Sequence, residues 1–154
     1  MKLIVSNCFE CYYSGYAMMQ PLPVGDFRWL DEDEFDDVEA KVGTIADDAD
    51  TGYVFEVDLE YPAELHNDHN DFPLAPEKLK VTFDMLSQYC QSFDSQHIAA
   101  QKLIPNLYDK KKYVVHYRNL QLYVELGLRI TKVHRVLEFS QSPWMASYIQ
   151  LTQI

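Results

Sequence analysis

The stretch from Gly52 to Pro76, GYVFEVDLEYPAELHNDHNDFPLAP, constrains the fold more than any other. Tyr53, Phe55 and Val57 alternate with Val54, Glu56 and Asp58, and aromatic and β-branched residues dominate, which predicts a strand. Pro62, Pro73 and Pro76 then forbid a continuing ladder. Each proline removes a backbone donor and restricts the residue before it. A strand therefore delivers His66, Asp68, His69 and Asp71 to a loop, and loops held by a rigid scaffold often carry function.

The 154 residues suit one domain with its own core. With 47% hydrophobic and 14% aromatic residues, disorder is excluded on composition. No apolar run approaches the ~20 residues needed to span a bilayer. The opening MKLIVSNCF lacks a signal-peptide pattern. An intracellular protein is expected, and the odd number of cysteines, 3, fits a reducing compartment. The net charge of -11 hides an asymmetry. Residues 1–100 carry 5 Lys and Arg against 21 Asp and Glu, a balance of -16, whereas residues 101–154 carry 8 against 3, a balance of +5. Only the C-terminal third is suited to meeting a polyanion.

In chain order, Leu3 to Val5 is a short strand candidate. Cys8 and Cys11 form a single CxxC with no second ligand pair, so ordinary thiols are the simpler reading. Residues 31–41 load acids into the first turn of a helix and place Phe35, Val38 and Val42 at helical spacing. Asp47 to Gly52 reads as a turn. Glu77 to Val81 reads as a second short strand, and Thr82 as the cap of a helix from Phe83 to about Phe93. Residues 101–117 form two apolar runs around Tyr108-Asp109-Lys110, a hairpin signal. Arg118 to Leu128 is the best helix, ended by Gly127. Ile130 to Phe139 is a strand, and Pro143 opens a final helix, Trp144 to Leu151. The fold class is α+β: one small mixed sheet with a hairpin and three to four helices.

Two constellations bear chemistry. His66, Asp68, His69 and Asp71 are suitable metal ligands. Neighbours so close in sequence seldom converge without a distant third ligand, so Asx-turns with structural histidines are preferred and no metal is assigned. Lys110, Lys111, Lys112, Arg118, Lys132, His134 and Arg135 are interleaved with Tyr113, His116 and Tyr117. Cations contact phosphates and aromatics stack on unpaired bases. A hairpin tip and edge strand kept soluble by charge would look the same. No phosphate loop, nucleophile elbow or HExxH motif occurs.

Three pieces carry a resemblance: GYAMMQPLPVGDFRWL (Gly15–Leu30), GYVFEVDLEYPAELHNDHNDFPLAPEKLKV (Gly52–Val81) and LIPNLYDKKKYVVHYRNLQLYVELGLRITKVHRVLEFSQSPW (Leu103–Trp144). They resemble the protein-primed family B DNA polymerases of animal genomes, self-synthesising transposons and related viruses. The first piece resembles the tail of polymerase motif A, with Gly15-Tyr16-Ala17-Met18 and Gln20-Pro21-Leu22-Pro23 matching. The tyrosine that gates the sugar falls on Ser14, and the metal-binding aspartate falls on Phe9. The resemblance implies that residues 1–154 are a single partial domain, a palm-to-fingers slice. A motif A remnant lies near residues 9–23, and the insertion after motif A, with the approach to the fingers, covers residues 24–154. The exonuclease domain would precede it and motifs B and C would follow.

By that resemblance Ser14, Gly15 and Tyr16 lie near the nucleotide. DNA and terminal protein are the expected partners, and the local run of charge makes Lys110, Lys111, Lys112, Arg118, His134 and Arg135 the expected DNA contacts. The full-length family works with Mg²⁺, but with Phe9 in place of the carboxylate this chain is expected to bind none and to catalyse nothing alone. In an animal genome the nucleus is the expected compartment. The alternative is a non-catalytic relic or an interaction module of a transposon-derived gene.

Overall fold

The computed structural model describes residues 15–35, 42–46, 48–92 and 101–152. The strand candidate at Leu3–Val5, the CxxC, Phe9, Ser14, Val38 and Phe93 lie outside them. The class is α+β. Six strands occur in chain order: β1 (Leu22–Trp29), β2 (Thr51–Glu60), β3 (Glu77–Lys80), β4 (Gln101–Ile104), β5 (Lys110–His116) and β6 (Arg129–Ser142). Two helices follow the strands they serve, α1 (Tyr117–Glu125) after β5 and α2 (Ala146–Thr152) after β6. Shorter helical turns occupy residues 15–19 and 32–35, Val42–Thr44, Ala63–Leu65, Phe83–Met85 and Gln88–Gln91.

Four strands form one sheet in the order β1-β6-β2-β5, and β3 and β4 form a separate two-stranded ribbon. Every pairing is antiparallel, so the sheet is not the mixed one expected. β2 is its spine. Phe55, Val57 and Leu59 are buried on one face, as the alternation of the opening stretch predicts. They pack with Val115, Val136, Leu128 and, from α1, Tyr117 and Leu120. Burying each such side chain contributes roughly 1.5–3 kcal/mol.

α1 starts where His116 caps it, its ring Nδ1 accepting from the Arg118 amide at 3.4 Å. It ends in a Schellman motif. The Leu128 N–H donates to the Tyr123 carbonyl and the Gly127 N–H to the Val124 carbonyl, with Gly127 at φ 101. Gly52 has a different reason to be glycine. A Cβ there would collide with the Phe139 ring and lie 2.5 Å from Gln141 Oε1.

Two expectations fail for local reasons. The 101–117 hairpin does not form. Asn106 turns the chain, its Oδ1 accepting from the Tyr108 amide at 3.0 Å, but β4 then pairs with β3 and β5 with β2. The helix from Phe83 to Phe93 is broken at Leu86, which is extended at ψ 147. Ser87 starts a new turn there, its hydroxyl accepting from the Cys90 amide. One strand, Leu22–Trp29, has no counterpart among the expected elements. Its bulges and the positive φ of Asp26 absorb Pro23 and Gly25 on the sheet edge.

Candidate nucleic-acid interface

Part of the expected basic cluster, Lys111, Lys112 and His134, converges on an acid, Asp58. Both neighbours of β2 are irregular beside it. β6 carries an extra residue at His134, since Glu56 faces Arg135 while Val57 faces Val133, and another at Thr131. β5 carries an extra residue between Tyr113 and Lys110, with Lys112 at φ 50, a conformation uncommon outside glycine. Bulges release backbone groups from the ladder and re-aim side chains. Asp58 collects what they release. Its carboxylate accepts from the Lys112 amide at 2.8 Å and from His134 Nε2 at 2.9 Å, and lies 3.5 Å from the Lys111 ammonium. Its carbonyl accepts from the Thr131 hydroxyl. The Lys112 amide first, then the His134 hydrogen bond, lower the Asp58 pKa from 3.8 to about 2. The carboxylate is therefore ionised at neutral pH, and the proton in this hydrogen bond belongs to His134 Nε2.

The other expected contacts are also engaged. Lys110 is not at an exposed tip; it is 1% exposed, with its ammonium 3.1 Å from Glu77 and hydrogen-bonded to Asn106. Partial burial pushes the Glu77 carboxyl up, but hydrogen bonds from Asn106 and Lys110 outweigh it and hold the carboxyl below its ordinary range. Arg135 donates to Glu56 at 2.5 Å and lies 5.4 Å from the centre of the Trp29 ring. Arg118 reaches Gln20 Oε1 at 2.9 Å and the Tyr117 hydroxyl at 3.1 Å. That hydroxyl accepts from Gln141, whose amide also donates to the Ala49 carbonyl. Of the six cations, only the Lys112 ammonium has neither a hydrogen bond nor an ion pair among the described residues. Gly15 is buried and Tyr16 exposed, both in the helical turn at 15–19, while Ser14 falls outside the described residues.

Glu56 and Asp58 are the partners the sequence reading overlooked. The signal was present: Glu56, Asp58 and Glu60 share one face of β2, and β6 brings Arg129, Lys132 and Arg135 opposite them. Beyond this row an open groove of about 300 Å³ is lined by Glu32, Phe35, Lys132, Val133 and His134.

The acidic loop behaves as structure. His69 Nδ1 lies 2.8 Å from the Tyr61 hydroxyl, and His66 Nε2 lies 3.3 Å from the Tyr61 carbonyl. Both rings stand edge-on to the Tyr61 ring. The same hydroxyl accepts from the Leu74 amide, so Tyr61 and its histidines brace the loop. Among the described residues no group of three or more His, Cys, Asp or Glu side chains could hold a metal ion. No described helix is long and apolar enough to cross a membrane.

Comparison of the chain with protein-family models, curated proteins and solved structures returns no match.

Proposed function

We propose that this chain is the segment of a protein-primed family B DNA polymerase that follows motif A, acting as a scaffold that touches nucleic acid without performing chemistry. One observation supports the reading above others. The three resembling pieces, far apart in sequence, supply all four strands of one sheet. β1 comes from the first piece and pairs with β6 of the third; β2 comes from the second and pairs with β5 and β6. The Gln20–Arg118 hydrogen bond ties the motif A tail to the start of α1. Of the intervening residues 31–51, which lie outside the resemblance, the described ones supply the sheet with the first residue of β2 and the core with Val42.

The Mg²⁺ of the full-length family does not fit the described residues. Two-metal phosphoryl transfer needs carboxylates clustered on the ions, about 3.5–4 Å apart. Asp58, the carboxylate nearest the cationic row, already accepts two hydrogen bonds and faces Lys111. No catalytic step is assigned to this chain.

An interaction module is the second reading. Tyr16, Met18, Val24, Phe27 and Trp29 are all large and exposed, a density that often marks a contact surface.

The test has two parts. The purified chain is incubated with primed template, nucleotides and Mg²⁺ or Mn²⁺, and no extension above a heat-killed control is expected. Binding of single-stranded and primer-template DNA is then measured at low ionic strength, and weak, salt-sensitive binding is expected. Absence of any DNA binding would favour the interaction module, and extension would overturn the non-catalytic assignment.

A further inference from the structure

We infer that the β3–β4 ribbon, rather than the Lys110–Lys112 cluster, is the surface that receives single-stranded nucleic acid. The inference deepens the nucleic-acid part of the proposed function and rests on it.

The ribbon pairs Glu77 with Ile104, Lys78 with Leu103, Leu79 with Lys102 and Lys80 with Gln101. Among the described residues, the hydrogen bonds that tie it to the sheet lie at one end. There Glu77 is hydrogen-bonded to Asn106 and Lys110, and the Tyr113 hydroxyl donates to the Pro76 carbonyl at 3.0 Å. Lys78, Lys80 and Lys102 are exposed, and none has an ion pair or hydrogen-bonded side-chain partner among the described residues. On the sheet, by contrast, Arg28, Lys111, Arg129, His134 and Arg135 each face a carboxylate within 4.0 Å, and only Lys112 and Lys132 have no such partner among the described residues. Lys78 and Lys80 lie two residues apart and so share one face of β3, roughly 7 Å apart along the strand.

Charge alone would suit any polyanion. The exposed aromatic residues that follow its two strands narrow the choice. Phe83, 50% exposed, follows the far end of β3, and Tyr108, 60% exposed, follows the tied end of β4. Lys78 and Lys80 share one face of the ribbon and Lys102, opposite Leu79, lies on the other; exposed aromatic rings on the segments that follow the two strands can stack unpaired bases while these ammonium groups meet the phosphates. A duplex hides its base faces and an acidic peptide has none to stack, so the occupant is a single strand.

The test uses the whole chain and a fluorescent oligothymidylate in an anisotropy titration at several salt concentrations. Lys78→Ala/Lys80→Ala/Lys102→Ala is expected to weaken binding at least tenfold at low salt. It should flatten the log–log salt slope by ~0.7 for each phosphate that is no longer neutralised. Phe83→Ala/Tyr108→Ala is expected to weaken binding with the slope unchanged. Lys111→Ala/Lys112→Ala should bind as the parent does. Circular dichroism confirms that each variant is folded. If the ribbon variant binds like the parent while the Lys111/Lys112 variant loses affinity, the inference is overturned and the proposed function stands. If the parent binds no oligothymidylate, both fail. If polyglutamate competes as well as unlabelled oligothymidylate and the aromatic variant is silent, the surface serves an acidic protein instead.

Discussion

The four-stranded sheet and the β3–β4 ribbon use positive charge in opposite ways. On the sheet, most cations that look like a nucleic-acid patch in sequence are met by acids of β2 or of the turn after it, Arg135 by Glu56, His134 and Lys111 by Asp58, and Arg129 by Glu60 and Glu64, with Lys112 and Lys132 the exceptions among the described residues. Such cross-strand pairs select register and protect edges, and exposed ones contribute little stability. On the ribbon the cations are fewer and scattered in sequence, yet none is matched among the described residues. A local count of lysines therefore ranks the two surfaces in the wrong order, because a charge is available only when its spatial neighbours leave it so.

The sharpest way to break this contrast lies at the joint between the two regions. Glu77→Ala leaves the Lys110 ammonium buried with Asn106 but without its carboxylate. Removing one partner of a buried pair costs about 3–5 kcal/mol, and the partial exposure of Glu77 places this case at about 3 kcal/mol. Replacing both residues with apolar ones of similar volume should recover most of that loss. Urea unfolding of the three chains checks it. Equal stability of Glu77→Ala and the parent would show that the joint is open to water.

Gly52→Ala tests the rigidity of the sheet. The added methyl meets Phe139 and Gln141, both buried, and should cost roughly 1–3 kcal/mol by overpacking. A neutral result would mean that β2 and β6 slide apart easily.

Acidity gives a smaller effect in two separate windows. Burial first, then Arg118, lowers the His116 pKa from its ordinary 6.5. Near pH 7 the ring is neutral in both folded and unfolded chains. As pH falls below 6.5 the unfolded chain binds the proton first, so stability should decline toward pH 5. His116→Asn keeps a cap without that titration and should remove the decline. Asp58 acts lower. Its folded value is about 2 against an ordinary 3.8, so its contribution is complete above pH 5 and fades as pH falls through 4 toward 2. Asp58→Asn should shrink that second limb, leaving the share of Glu77 and Glu56, whose carboxyls are also held below their ordinary range. A melting-temperature profile from pH 8 to pH 2 resolves both.

The smallest effect belongs to the ribbon. Lys78→Ala and Lys102→Ala should each alter stability by less than about 0.5 kcal/mol, as surface substitutions without partners do. A larger loss would show that these lysines are structural after all.

Much of the fold was legible where pattern is local. The alternation of Tyr53 to Asp58, the Gly127 stop, the Pro62–Pro76 connection and the Glu77 strand all appear where periodicity and turn chemistry put them. Pairing was not legible. Asn106 does turn the chain, but which strand β5 joins depends on β2, some fifty residues earlier. The fate of the cations followed from that error: moving Lys110 from a hairpin tip into the joint buries it, and placing β6 beside β2 gives His134 and Arg135 their acids. The bulges around Asp58 carry no sequence mark, because Lys112 is not a residue that advertises a positive φ.

Lysine acylation under native conditions, followed by peptide mass spectrometry, tests the central claim most directly. Reagent at low excess should modify Lys78, Lys80, Lys102 and Lys112 first, Lys111 more slowly, and Lys110 only on unfolding. Acylation of Lys110 at the rate of Lys78 would contradict the account, since it would return Lys110 to the surface and open the joint between sheet and ribbon.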